Sequence, residues 1–92
     1  MKQYKTINSL NKAIDKAFRD IVINNLKYKG DYDTDEPEKV KAFFRAKKIH
    51  IESIKNYKYQ TEKIVIYKDY KPKHIFYINY KELTLEIEEV KK

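Results

Sequence analysis

The chain has 92 residues, 38% of them charged, a formal net charge of +7, one glycine and no cysteine. That length makes one domain spanning residues 1–92, with one modest core and no cleft between domains. The cysteine count excludes disulfides, Cys-ligated zinc, thiol nucleophiles and iron–sulfur clusters, and it fits a cytoplasmic protein.

No apolar run reaches signal-peptide length, so neither a secretory signal nor a membrane-spanning helix is expected. The segment NSLNKAIDKAFRDIVINNLKYKG is an amphipathic helix by its spacing. Ile7, Leu10, Ile14, Ala17, Phe18, Ile21 and Leu26 recur on one face. Thr6, Asn8 or Ser9 would cap it. Gly30 sits where a helix-ending residue with positive φ belongs, and Lys27 and Lys29 would occupy the last turn.

The polar loop GDYDTDEP follows. Asp35 and Glu38 have the spacing of a capping box for a second helix, with Glu36 and Pro37 in its first turn. Asp31, Asp33 and Asp35 alternate as in a calcium loop. The central glycine and the distal glutamate that an EF-hand needs are both missing. The second helix is expected from about Glu36 to Asn56, with Val40, Phe43, Phe44, Ile51 and Ile54 on one face. A competing reading takes KIHIESI as a strand, because Ile49, Ile51 and Ser53 alternate with polar residues.

Three strands complete the chain: Thr61–Tyr67, His74–Tyr80 and Leu83–Val90. In the last, Leu83, Leu85 and Ile87 alternate with Thr84, Glu86 and Glu88. Turns fall at DYKPK and NYKE. The expected fold is α+β, two N-terminal helices packed on a three-stranded antiparallel meander (ααβββ).

Charge is uneven along the chain. Residues 30–38 carry five acidic side chains and no cation, and residues 39–73 carry eleven Lys and Arg against Glu52, Glu62 and Asp69. A basic middle framed by acidic segments points to an anionic partner, with nucleic acid the first choice. Lys, Ile, Asn, Tyr and Phe make up more than half the chain, the residues of A/T-rich codons, so part of the basicity is compositional. Arg is confined to Arg19 and Arg45, which argues for loose electrostatics over base-specific reading.

Most catalytic templates fail on inventory. One glycine rules out Walker A, Rossmann and kinase phosphate loops, whose backbone must approach phosphate closely. Ser9 and Ser53 lack a nucleophile-elbow context. His50 and His74 form no zinc pattern. His50 reads as a surface residue on a helix flank, and His74 as a surface residue at a strand end. The acid–x–Lys spacings at Asp69–Lys71 and Glu89–Lys91 are what chance yields in so charged a chain. No cofactor, metal or catalytic residue is expected.

The positive signal is an interleaving of Tyr with Lys. Aromatic rings on a sheet stack unpaired bases while lysines follow the phosphates. The candidate nucleic-acid-binding residues are Arg45, Lys48, Lys58, Lys63, Tyr67, Lys68, Lys71, Lys73, Tyr77 and Tyr80. The expected function is a small basic binding or regulatory protein directed at nucleic acid or a nucleoprotein, with weak sequence specificity. A second reading is an inhibitor or adaptor, of the kind phages and plasmids encode, that occupies the surface of a host nucleic-acid-processing enzyme. A third is a metal-free ribonuclease using Arg45, His74, Lys71 and Tyr80 as acid–base or phosphate-contacting groups. It is similar to the RelE-type toxins in size, helix pair, antiparallel sheet and basic surface. That family begins with a strand, where this reading begins with a helix.

Overall fold

In the computed structural model, which describes residues 1–32 and 34–91, Thr6 opens the first helix. Its hydroxyl accepts the Ser9 N–H at 3.0 Å, satisfying one of the donors that a helix start leaves free. Helix α1 spans Ile7–Asp20 and runs on into a π-helical turn, Ile21–Asn25. Leu10, Ile21, Val22 and Leu26 are buried on the face that the spacing picked out. The chain leaves the helix at Leu26, and Lys27 takes the left-handed conformation at φ 59°.

Gly30 therefore does not end the helix, nor is its φ positive. Its reason is space. A Cβ at Gly30 would collide with the Asp35 carboxylate, which accepts a hydrogen bond from the buried Tyr28 hydroxyl. That bond holds the Asp35 carboxyl below its usual range and pushes the Tyr28 phenol up to about 12. Asp35 also lies 3.4 Å from Lys39. The capping box expected from Asp35 and Glu38 is not formed. Glu36 is the N-cap of α2 without a side-chain cap bond, and Pro37 takes the first helical position. Asp33, the middle aspartate of the calcium-like alternation, lies outside the described residues.

Helix α2 covers Pro37–Ala46 only. Lys47 and Lys48 close it, and Lys48 turns the chain at φ 56° into strand β2, Ile49–Asn56. The helix expected to reach Asn56 is thus corrected, and the competing strand reading of KIHIESI is the one observed. β-Branched Ile49 and Ile51 point to the helix side while His50, Glu52 and Ile54 point away. This period-two placement buries Ile49, which a continued helix would have left on its flank.

Strands β3 (Thr61–Lys68), β4 (Lys71–Asn79) and β5 (Thr84–Glu89) follow as a meander. A two-residue strand β1, Lys2–Gln3, pairs with β5 through Lys2↔Leu85 and Gln3↔Thr84. The sheet is therefore five-stranded and antiparallel, in the order β1-β5-β4-β3-β2, and not a three-stranded meander; the α+β class holds. Because β1 precedes α1, the chain opens on a strand rather than a helix. The last strand begins at Thr84, and Leu83 sits at φ 58° in the turn before it.

One face of the sheet packs on the helices. Ile66, Phe76, Ile78 and Leu85 meet Leu10, Val22 and Leu26, and Phe18 stacks edge-on against Phe76 at 6.4 Å. Val40, Phe43 and Phe44 of α2 lean on the same cluster, with Phe43 4.9 Å from Tyr28. The other face carries no helix and presents His50, Ile54, Lys63, Tyr67, Tyr77 and Glu86. No helix among the described residues is long and apolar enough to cross a membrane.

Candidate nucleic-acid interface

The geometry at one end of the sheet follows from two sharp reversals of the backbone. At the first, α2 hands over to β2. Lys47 N–H donates to the Phe43 carbonyl at 3.0 Å and Lys48 N–H to Arg45 at 3.1 Å. At the second, Asp69 and Tyr70 join β3 to β4, and both have positive φ, 53° and 67°. The Asp69 N–H donates to the Lys48 carbonyl at 3.0 Å, tying the two reversals together. A register shift between Ile66 and Tyr67 leaves Lys73 as an extra residue on β4, next to Pro72, which has no N–H to give the ladder.

Between these reversals lies a depression of about 530 Å³ lined by Arg45, Lys48, His50, Glu52, Tyr67 and Tyr70. His50 and Tyr67 are cross-strand partners, with ring centroids 5.9 Å apart and a 39° tilt. Lys68 and Lys71 pair across the turn on the helix-facing side, and Lys71 and Lys73 line a smaller neighbouring hollow with Pro72 and Val90. Arg45, Lys47, Lys48, Lys68, Lys71 and Lys73 thus ring one end of the molecule, and none is ion-paired to a described residue. Ion pairs among the described residues lie elsewhere, such as Lys16–Asp20, Arg19–Asp15, Lys39–Asp35 and Lys41–Glu38.

Of the ten residues picked from the sequence, Arg45, Lys48 and Tyr67 line the depression, Lys71 and Lys73 line the neighbouring hollow, and Lys68 pairs with Lys71. Lys63 and Tyr77 sit mid-sheet on the open face, with the ammonium 5.8 Å from the ring centroid. The Tyr77 hydroxyl donates to Glu88 at 3.0 Å, and that bond raises its pKa. Lys58 lies in the β2–β3 turn, over the Tyr59 ring at 5.4 Å. Tyr80 is at the same far end, roughly 26 Å away along an eight-residue strand. Its hydroxyl donates to Glu62 at 2.6 Å, and burial, then Glu62, pushes the phenol up to about 12.

The four groups considered for RNA cleavage are not assembled. His74 is buried on the helix side of β4, only 8% exposed, and neither ring nitrogen has a hydrogen-bond partner. Burial lowers its pKa, Lys73 lowers it further, and Glu89 opposes them. The histidine that does reach the depression is His50. It was legible only through the strand reading of KIHIESI, which sets it opposite Tyr67. Tyr70, at the turn tip, also lines the depression and was missing from the original ten, as were Ile49 and Glu52. Among the described residues no three His, Asp or Glu side chains converge as a metal ligand set. No protein-family model, curated protein or solved structure matches the chain.

Proposed function

We propose that this chain is a cytoplasmic binding protein for single-stranded nucleic acid, or for a nucleoprotein that exposes it, acting through the depression between α2, β2 and the β3–β4 turn. The observation that carries this reading is a hollow walled by His50, Tyr67 and Tyr70 into which Arg45 and Lys48 project, with Lys71 and Lys73 lining a neighbouring hollow and none of these four cations ion-paired to a described residue. Unpaired cations neutralise phosphates without first breaking an internal ion pair, and exposed rings accept bases that have no stacking neighbour. Two arginines in the chain, one of them in the hollow, fit weak sequence preference.

Fluorescence anisotropy with labelled single-stranded RNA, single-stranded DNA and duplex DNA across a salt series tests it. Micromolar or tighter binding to single strands is expected, falling steeply with salt and falling further in Tyr67→Ala. No binding at low salt would sink the reading. RNA shortened during the assay would turn the hollow into a nuclease site, with His50 in the place that sequence had given to His74. A second reading, a protein partner, is favoured by the open sheet face. There Ile54 is 52% exposed and borders a hollow of about 430 Å³ with Tyr77, Lys63 and Glu86.

A further inference from the structure

The single glycine of this chain stands at none of its left-handed positions. Lys27, Lys48, Gln60, Asp69, Tyr70 and Leu83 hold them, all at φ between 53° and 67°. In that region Cβ crowds the following carbonyl oxygen, so glycine is the unstrained choice and Asp or Asn the tolerated one. Three of the six belong to the hollow: Lys48 and Tyr70 line it, and Asp69 bonds to Lys48. Asp69–Tyr70 is a two-residue hairpin connection with positive φ at both positions, a type I′ turn. Glycine is the usual occupant of its second position.

Here that position holds a tyrosine. The residue is 89% exposed and makes no side-chain hydrogen bond or ring contact with a described residue. Packing does not account for it, and the backbone disfavours it. We infer that Tyr70 is a stacking platform for one unpaired base, set at the rim of the hollow so that the flanking phosphates fall on Arg45 and Lys48. The ligand is a single strand, because a paired base has no free face for the ring. This inference rests on the reading of the hollow given above, and it adds a residue at which fold and binding pull in opposite directions.

Scarce glycine in an A/T-rich composition offers another account of the turn, and Gln60 separates the two. It has the same backbone conformation, is exposed, and lies at the far end of the sheet. Tyr70→Gly and Gln60→Gly are each expected to melt roughly 3 °C higher than the parent. Tyr70→Gly should bind a fluorescein-labelled single-stranded RNA 12-mer at least fivefold more weakly, yet bind an abasic strand of equal length as the parent does. Gln60→Gly and Tyr70→Phe should keep parental affinity for both strands. If the parent binds RNA and Tyr70→Gly binds it equally well, the platform is refuted while the hollow stands. If Tyr70→Gly melts below the parent, the ring serves the fold and the inference also fails. A parent that binds no strand overturns both.

Discussion

His74 should make the stability of this protein depend on pH in a defined window. Its imidazole is buried between Ile66 and Glu89 in the sheet register, beside Phe76, with both nitrogens unpartnered. Burial and Lys73 favour the neutral ring, and Glu89 across the strand pair offsets them only in part, so the folded-state pKa lies below the ordinary 6.5. The unfolded chain then takes up a proton near pH 6.5 that the folded chain refuses. Stability is full above that pH and declines as pH falls through it, by up to about 1.4 kcal/mol per unit, until the folded-state pKa is reached. Between pH 7 and 5 the decline is at most about 1.9 kcal/mol, or roughly 10 °C in melting temperature for a domain of this size. Urea melts at half-unit steps from pH 7.5 to 5 would measure it. His74→Leu should flatten the slope, and at pH 7 it should gain on the order of 1 kcal/mol by removing two unsatisfied polar atoms. If His74→Leu keeps the parental slope, or loses stability at pH 7, the buried imidazole has a partner and the argument fails.

Other substitutions probe the frame that holds the hollow. Phe76→Ala empties the centre of the core, where the ring is fully buried against Phe18, and should cost about 3–5 kcal/mol, enough to leave much of the chain unfolded by circular dichroism at 37 °C. Thr6→Ala removes the cap of α1 and should lower stability by about 1 kcal/mol in urea melts, whereas Thr6→Ser should not. Tyr80→Phe leaves Glu62 without one of its donors and should cost about 1 kcal/mol with no loss of nucleic-acid affinity, since that hydroxyl lies far from the hollow.

Period alone revealed the elements whose core-facing residues repeat over several turns. α1 needed only its apolar spacing, β3 its β-branched content, and β5 its alternation. β2 was harder to read because Ile51 and Ile54 continue the helical stripe of Val40, Phe43 and Phe44, whereas the strand reading rests on Ile49 and Ile51. What decides between them is the left-handed Lys48, and lysine gives no sequence signal for positive φ. β1 is two residues long, too short to show any period, and exists because β5 offers it a free edge. Gly30 misled for a related reason. Its lack of a side chain makes room for the Tyr28–Asp35 contact, a requirement set across the loop rather than by the helix end. The hollow was half legible. Arg45, Lys48 and Tyr67 stood out as basic or aromatic residues, but their meeting depends on the His50↔Tyr67 pairing and the Asp69–Lys48 bond, both nonlocal.

Composition and position make separate arguments about charge. A/T-rich codons can raise the number of lysines, but they act without regard to where the acidic partners fall. In this fold Asp15, Asp20, Asp35 and Glu38 pair with helix cations, while Glu86 and Glu88 lie along β5, on the far side of the sheet from β2. The cations around the hollow are left to solvent or to a ligand. Matched substitutions distinguish a site from mere net charge. Arg45→Gln with Lys48→Gln removes two charges at the hollow; Lys5→Gln with Lys12→Gln removes two exposed charges beside and on α1. If phosphates sit at the hollow, the first pair should reduce the salt slope for single-stranded RNA by about 1.4, at roughly 0.7 per phosphate contact, and the second should leave it unchanged. An equal reduction in both would assign the attraction to overall charge, and the hollow would lose its claim to be a site.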